Sequence, residues 1–307
     1  MRVLNPAPLD FWQEVAEACS WATYFHTPGW ALVIAKTFPQ YAPATLGFIM
    51  ESGARAVIPF VVEEKRKFLK TGKRYKSMEP GVYGGLVADR ELSQPEVDEI
   101  LAYVLNIKNT EGRIVGNPFK QFLFPPQMKT KEMYTQVIDL SPGFDELWQG
   151  FSRGQKSNIK QAQKKQVTVR RAETEQGITC YFDIYGQTLK RWGGKTIAFY
   201  PRQLFLSLFE QKDPHVHFYL AEKGGHVIAG IIVLAWQKKL LYWHGCSRED
   251  FFKDYPNNLL HYEAIKWACE NNFTYYDMGA SMDMEGVIKF KKSFGAEQLD
   301  FASYRWK

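Results

Sequence analysis

Cysteine is scarce in this chain of 307 residues: Cys19, Cys180, Cys246 and Cys269 stand far apart and form no Cys-x-x-Cys pair. The six histidines do not cluster either. These absences argue against structural zinc, so no metal is expected, and they make a reducing cytoplasm the expected compartment. Long apolar runs are missing as well. The longest, around Val227 to Trp236, is broken by Gly230 and falls short of the roughly 18 residues of a membrane span. The start, MRVLNPAPLDFWQEV, has no basic region followed by an apolar run, so no secretory signal is expected. There is no Gly-x-Ser-x-Gly elbow, no His-Glu-x-x-His, no Walker loop and no Gly-x-Gly-x-x-Gly. The hydrolases, zinc proteases, nucleotide hydrolases and dinucleotide binders built on those motifs are poorly served.

What is present is ordinary globular composition, 45% hydrophobic and 23% charged. The length suits two domains of roughly 150 residues each. The net charge of +6 is unevenly shared. Residues 1–139 hold 16 Lys/Arg against 15 Asp/Glu, a net of +1, and residues 140–307 hold 23 against 18, a net of +5. Anion binding therefore points to the second half.

The first half reads as helices over 9–19 and 29–37, strands over 45–50 and 55–62 flanking the turn Glu51-Ser52-Gly53, and a helix over 94–110. Residues 63–76 carry seven Lys/Arg and two Glu and read as an exposed loop. Pro80-Gly81 and Gly84-Gly85 mark a turn-rich stretch, and strands are expected over 113–116 and 134–140. Pro142-Gly143 then separates a strand from a new helical block, giving domains 1–141 and 142–307. The second holds a basic helix and strand, helices near 177–192 and 201–210, a three-stranded meander over 217–245, a helix over 258–271 and the strand at Tyr275. This order is α+β. The acidic pairs Asp250/Asp254 and Asp283/Glu285 sit in loop-like surroundings and read as surface.

The most informative stretch is YYDMGASMDMEGVIKFKKSFGAE, Tyr275 to Glu297. If Glu285 to Phe294 is helical at about 100° per residue, Val287, Phe290 and Phe294 share one face and Lys291 borders it. Lys289 and Lys292 then point to water, and Gly295 stands where a left-handed residue would end the helix. Lys291 reads either as a charge at the rim of a site or as an amphipathic stem along apolar surface. Asp277, just before Gly279, is placed to orient an amine, to serve as a base, or to hydrogen-bond the next loop. His244 lines a pocket or belongs to the core. The largest pocket is expected between the domains or beside the meander, lined by Tyr242, His244, Asp277 and Phe290.

Arg153, Lys156, Lys160 and Lys164 fall within about 80° on one helical face, and no Asp or Glu occurs between Glu146 and Glu173. Such a stripe is a solvated face or a grip for phosphates, of a nucleotide-bearing donor or of a tRNA acceptor arm.

Three segments carry a resemblance. YDMG followed by FKKSFG, the run SRGQKSNIKQAQKKQVTV from Ser152 to Val169, and Thr27-Pro28-Gly29-Trp30-Ala31 resemble the motifs of the FemABX peptidyltransferases and their BioF2-like acyltransferase relatives in the GNAT superfamily. The resemblance implies two GNAT-like domains of mixed sheets flanked by helices, with the last strand, about 298–306, returning to the first domain. It also implies an acyltransferase that moves an aminoacyl or acyl group onto an amine of a cell-envelope precursor, such as a peptidoglycan intermediate, or of a related small molecule. The donor would be aminoacyl-tRNA or acyl-CoA, with tRNA as a partner and no bound cofactor. Acyl transfer needs a delivered nucleophile, a base and a donor for the developing oxyanion. By resemblance Lys291 takes the last role, beside Phe290, and Asp277 is a candidate base. Tyr242, His244, Arg191 and Lys36 are implied at the substrate, and the Arg153 stripe at the donor phosphates.

The chain departs from the family pattern on the acceptor side. Leu32 stands where a lysine follows Gly-Trp-Ala, and Lys36 is the nearest lysine. Lys195-Thr196-Ile197 replaces Thr-x-Arg, while His244 takes a usual tyrosine position. Tyr255-Pro256-Asn257-Asn258 lacks the glycines of a CoA-cradling loop, and the helical hairpin inserted in several Fem proteins is missing. A BioF2-like acyl-CoA N-acyltransferase and a non-catalytic binder of RNA or another polyanion remain as alternatives.

Overall fold

The computed structural model describes residues 1–67, 70–78, 83–191, 193, 199–281 and 284–307. Pro80-Gly81, Lys195-Thr196-Ile197 and Asp283 lie outside them. The chain forms two compact units, Met1–Tyr134 with Asp300–Lys307, and Thr135–Leu299. The division falls within the strand Lys129–Asp139, ahead of Pro142-Gly143.

The first unit runs β1 (Arg2–Leu4), α1 (Leu9–Ala18), α2 (Pro28–Thr37), β2 (Ala42–Pro43), β3 (Leu46–Ile49), β4 (Arg55–Ile58), β5 (Val61–Lys67), β6 (Lys70–Lys76), β7 (Val87–Ala88), α3 (Gln94–Leu105) and β8 (Thr110–Val115). Local chemistry sets its helix starts. Thr27 caps α2, accepting from the Trp30 amide at 3.4 Å, and Pro28 pre-sets the first turn. Ser93 and Glu96 form a capping box at α3. Strands β1, β3, β4 and β7 form one sheet.

Residues 63–67 and 70–76 are strands, not the loop their lysines suggest. β5 and β6 pair antiparallel from Val61↔Lys76 to Lys67↔Lys70, and β6 pairs parallel with β8. Ion pairs explain how so basic a hairpin is tolerated: Arg74 meets Glu111 at 2.5 Å, Lys76 meets Glu63 at 3.5 Å, and Lys65 also pairs with Glu111.

The second unit continues from β9 (Lys129–Asp139) through α4 (Phe144–Gly150), α5 (Arg153–Lys164), β10 (Thr168–Arg171), α6 (Glu175–Arg191), α7 (Arg202–Glu210), β11 (Val216–Lys223), β12 (His226–Trp236) and β13 (Lys239–Ser247). Then follow α8 (Pro256–Glu270), β14 (Tyr275–Asp277), α9 (Glu285–Lys292) and the start of β15 (Glu297–Trp306). Its strands lie in the order β10-β11-β12-β13-β14-β9. All pairs are antiparallel except β13 with β14. β15 from Asp300 onward belongs to the first unit, where Ser303 stands opposite Val115 of β8.

Alternation along the strands sorts the two faces. Tyr219, Ile231, Val233, Leu240 and Tyr276 pack with Ile159, Leu260, Ala264, Ile265 and Phe294 in the core under α5 and α8. Phe218 meets Tyr181 of α6 from the other face. β12, HVIAGIIVLAW, is buried almost throughout, as a strand covered on both faces must be. Gly230 is required there: a Cβ would lie 2.7 Å from Cδ2 of Tyr181, which rests against the strand. The class is α+β, as the sequence indicates.

Candidate active site

β13 pairs with β14 only from Lys239↔Tyr275 to Leu241↔Asp277. β14 ends there, and the chain turns at Gly279 with φ +75°, a left-handed conformation natural to glycine. β13 runs on to Ser247 beside β12, with a register shift where Ile232 faces His244 and Val233 faces Tyr242. The parallel strands thus part at Tyr242 and Asp277, leaving backbone there for other partners.

Lys291 enters this place. It is 3% exposed and is the buried residue of α9, neither a rim charge nor a stem lying along the surface. Its Nζ donates to Gly279 O at 2.5 Å and Ala280 O at 3.1 Å. Burial pulls its pKa down to about 8, opposed by the charge of Asp277. Lys289 and Lys292 are exposed, and Gly295 follows the helix with φ +84°, both in line with the helical reading.

Asp277 is 1% exposed and ties the loop down: its Oδ1 accepts from Thr135 Oγ1 at 2.5 Å and from the Gly279 amide at 2.8 Å. Ser281 Oγ donates to Gln136 Oε1, so β9 anchors both ends of the segment whose carbonyls hold Lys291. From α8 comes His261, a residue that sequence reading missed. It is 2% exposed, its Nδ1 lies 2.7 Å from Tyr276 Oη, and it packs edge-on against Tyr242 at 4.6 Å and Phe290 at 5.5 Å. Burial, aided by the charge of Lys291, lowers its pKa to about 3. The signal for it was a lone histidine on the apolar face of a helix, three and four residues before Ala264 and Ile265.

The C-terminal end of α9 is clipped to two other helices. Ser293 Oγ donates to Phe290 O at 2.6 Å and lies 3.0 Å from Gln155 Oε1 of α5, and Asn258 Nδ2 of α8 donates to that same glutamine oxygen at 2.8 Å.

The four residues expected to line one pocket do not share a face. Tyr242 and Phe290 meet around His261, whereas His244 turns toward α6 and α7 among Tyr185, Tyr200 and Phe205, at ring distances of 4.6, 5.6 and 5.2 Å. The register shift at Tyr242 and His244 accompanies this divergence. An open groove of about 370 Å³ in this unit lies elsewhere, between β10 and α8.

His244 lies 2.5 Å through Nδ1 from Tyr181 Oη. That hydroxyl is fully buried, with His244 Nδ1 as its nitrogen partner and the Cys246 thiol, a weaker acceptor, as its other neighbour. A donor left unsatisfied in the core is costly, so Tyr181 donates and His244 carries its own proton on Nε2. Burial lowers the His244 pKa to about 3.

Arg191 donates to Ser247 O at 3.2 Å and lies over Phe252 at 4.7 Å. Lys36 is exposed on α2 of the first unit. On α5, Arg153, Lys160 and Lys164 face solvent, while Lys156, half-buried, donates to Gln149 O at 2.9 Å. The buried face of that helix is Gln155, Ile159 and Ala162.

The geometry can now be set against known proteins. Residues 151–292, which include α5, the meander, α8 and Lys291, match the family model described as acetyltransferase (GNAT) domain. FemX superposes with a TM-score of 0.75 at 14% identity, covering 98% of this chain and 97% of that one. Residues 151–292 are a GNAT-type domain by that match, and the chain as a whole shares the fold of FemX. The C-terminal domain of a putative lysylphosphatidylglycerol synthetase from Agrobacterium fabrum is also similar, with a TM-score of 0.59 at 10% identity over 97% of this chain and 91% of that chain. A tandem GNAT protein from the clavulanic acid biosynthesis pathway gives 0.50 at 10% identity over 99% and 98%. At these identities the likeness is one of fold. A search of curated proteins returned no match. The GNAT domain makes the chain an acyltransferase, and among the described residues no helix is long and apolar enough to cross a membrane.

Proposed function

We propose that the GNAT domain transfers an aminoacyl or acyl group onto an amine of a cell-envelope precursor or related small molecule, with Lys291 stabilising the oxyanion. One observation carries this reading: a buried lysine stands where β13 and β14 part, two of its three N–H groups committed to Gly279 O and Ala280 O. The third N–H has no partner among the described residues and is held ready for an oxygen that gains charge during reaction. The amine attacks the donor carbonyl carbon, the carbonyl oxygen becomes an oxyanion beside Lys291, and collapse breaks the ester or thioester bond. The amine proton leaves with the departing hydroxyl or thiol.

Asp277 acts on this reading as a positioning residue, because its hydrogen bonds fix the 277–280 segment that holds Lys291. Phe290, Tyr242 and His261 form the apolar wall beside it. The exposed cations Arg153, Lys160 and Lys164 support aminoacyl-tRNA as donor. Acyl-CoA is the second reading. It is favoured by the acetyltransferase family model and by the α8 N-terminus, where Tyr255 takes the left-handed φ of +54° that a glycine would otherwise supply.

Incubation with labelled aminoacyl-tRNA and, separately, acyl-CoA, each with candidate amines, tests the proposal. Wild-type protein consumes one ester and Lys291→Ala does not. Consumption of neither, together with tight tRNA binding, would favour the non-catalytic polyanion binder.

A further inference from the structure

The groove of about 370 Å³ is built at the free edge of the second unit's sheet, between β10 and α8, and none of the residues assigned above to acyl transfer lines it. Its floor is aromatic. The Arg171 guanidinium lies over Trp267 at 4.7 Å and over Tyr219 at 5.5 Å, and donates through Nη2 to Tyr219 Oη at 3.3 Å. His217, 6% exposed, packs edge-on beneath Trp267 at 4.8 Å. These two ring contacts and the bond to Tyr219 hold the guanidinium and leave most of its five N–H donors unused, ready for a planar carboxylate.

Opposite in charge, Glu263 of α8 lines the same groove. Neither Arg171 nor Glu263 has an ion-pair partner among the described residues, although both act on the Tyr219 hydroxyl. Their neighbours are already matched: Arg170 with Glu222 at 2.7 Å, and Lys266 with Glu270 at 4.0 Å. Half-buried, Glu263 has its pKa raised by desolvation, with the charge of Lys266 opposing the shift. A cation and an anion that share a groove and an aromatic floor without meeting leave room for a ligand carrying both complementary charges.

We propose that this groove binds a free amino acid, its carboxylate on the Arg171 edge, its ammonium at Glu263 and its side chain against Val169 and the aromatic floor. Leucine is the probe, with N-acetylleucine lacking the ammonium and leucine amide lacking the carboxylate. Titration by calorimetry or ligand-observed NMR should show saturable leucine binding, with each capped form weaker by about tenfold or more. Arg171→Leu should abolish leucine binding. Glu263→Gln should bind leucine and N-acetylleucine alike. Circular dichroism confirms that both variants fold, as is expected for an exposed and a half-buried position. Equal binding of leucine and its capped forms to wild type, absence of saturable leucine binding at about 10 mM, or unchanged affinity in folded Arg171→Leu would each overturn the assignment.

Discussion

Lys291 Nζ donates to Gly279 O at 2.5 Å, joining a helix to the loop that follows the strand of Asp277. The charge is thereby held in place before any substrate arrives, which is how a preorganised oxyanion donor differs from a flexible surface lysine. The same bond makes the lysine part of the fold, so its substitution has two consequences that can be measured separately.

Activity should depend on the Lys291 proton. With its pKa lowered to about 8, the ammonium is present at neutral pH and lost above that value. Turnover should therefore fall as pH rises through about 8, and Lys291→Ala should lose about 100-fold or more, whereas exposed Lys292→Ala should stay within about twofold. An alanine variant at Lys291 with near wild-type turnover would remove it from the mechanism.

Stability should move the other way. The folded-state pKa lies below the ordinary 10.5, so between the two values the unfolded chain binds more protons and stability rises with pH. Relative to Lys291→Met, the wild-type protein should gain about 1.3 kcal/mol from about pH 7 to about pH 9. Denaturant melts at both pH values measure this, and parallel behaviour of the two proteins would show that Lys291 is not desolvated.

His244 should be neutral and fixed in one tautomer. With a pKa near 3 and Tyr181 donating to Nδ1, its ¹⁵N resonances should show protonated Nε2 and no titration between about pH 5 and 8. Tyr181→Phe should cost about 1–2 kcal/mol and release the tautomer, a spectroscopic change that lost packing alone would not produce.

Gly230→Ala should destabilise the second unit by about 1–3 kcal/mol, since its Cβ would press on the Tyr181 ring at 2.7 Å. A melt unchanged from wild type would mean that the ring can move aside.

The α5 stripe is tested by salt. If tRNA is the donor, replacing exposed Lys160 and Lys164 should flatten the slope of log K against log[salt] by about 1.4. An unchanged slope would leave the stripe a solvated helix face.

Much of the second unit was legible because its signals are local. The meander follows from the short polar turns at 223–225 and 237–239 and the end of α9 from Gly295, which takes φ +84°; in the first unit the start of α2 follows likewise from Thr27-Pro28. The motif around Lys291 pointed to the family for the same reason: a short helix and its flanks lie within one stretch of chain. Less legible was anything that depends on distant partners. The basic run 63–76 read as a loop because the charges that neutralise its hairpin include Glu111, on another strand. His261 was missed because its neighbours Tyr242, Tyr276 and Phe290 come from separate elements. Lys291 read as a rim charge or a surface stem because its burial depends on the carbonyls of Gly279 and Ala280. These are held in turn by Asp277 and by Thr135, 142 residues from that aspartate in the chain. Sequence alone determined which residues carry charge and, outside the basic run, most of the helices and longer strands, since capping, turns and periodicity act over a few residues. Tertiary structure decided which charges lose their water, because desolvation is set by whatever the fold brings alongside, however distant in sequence.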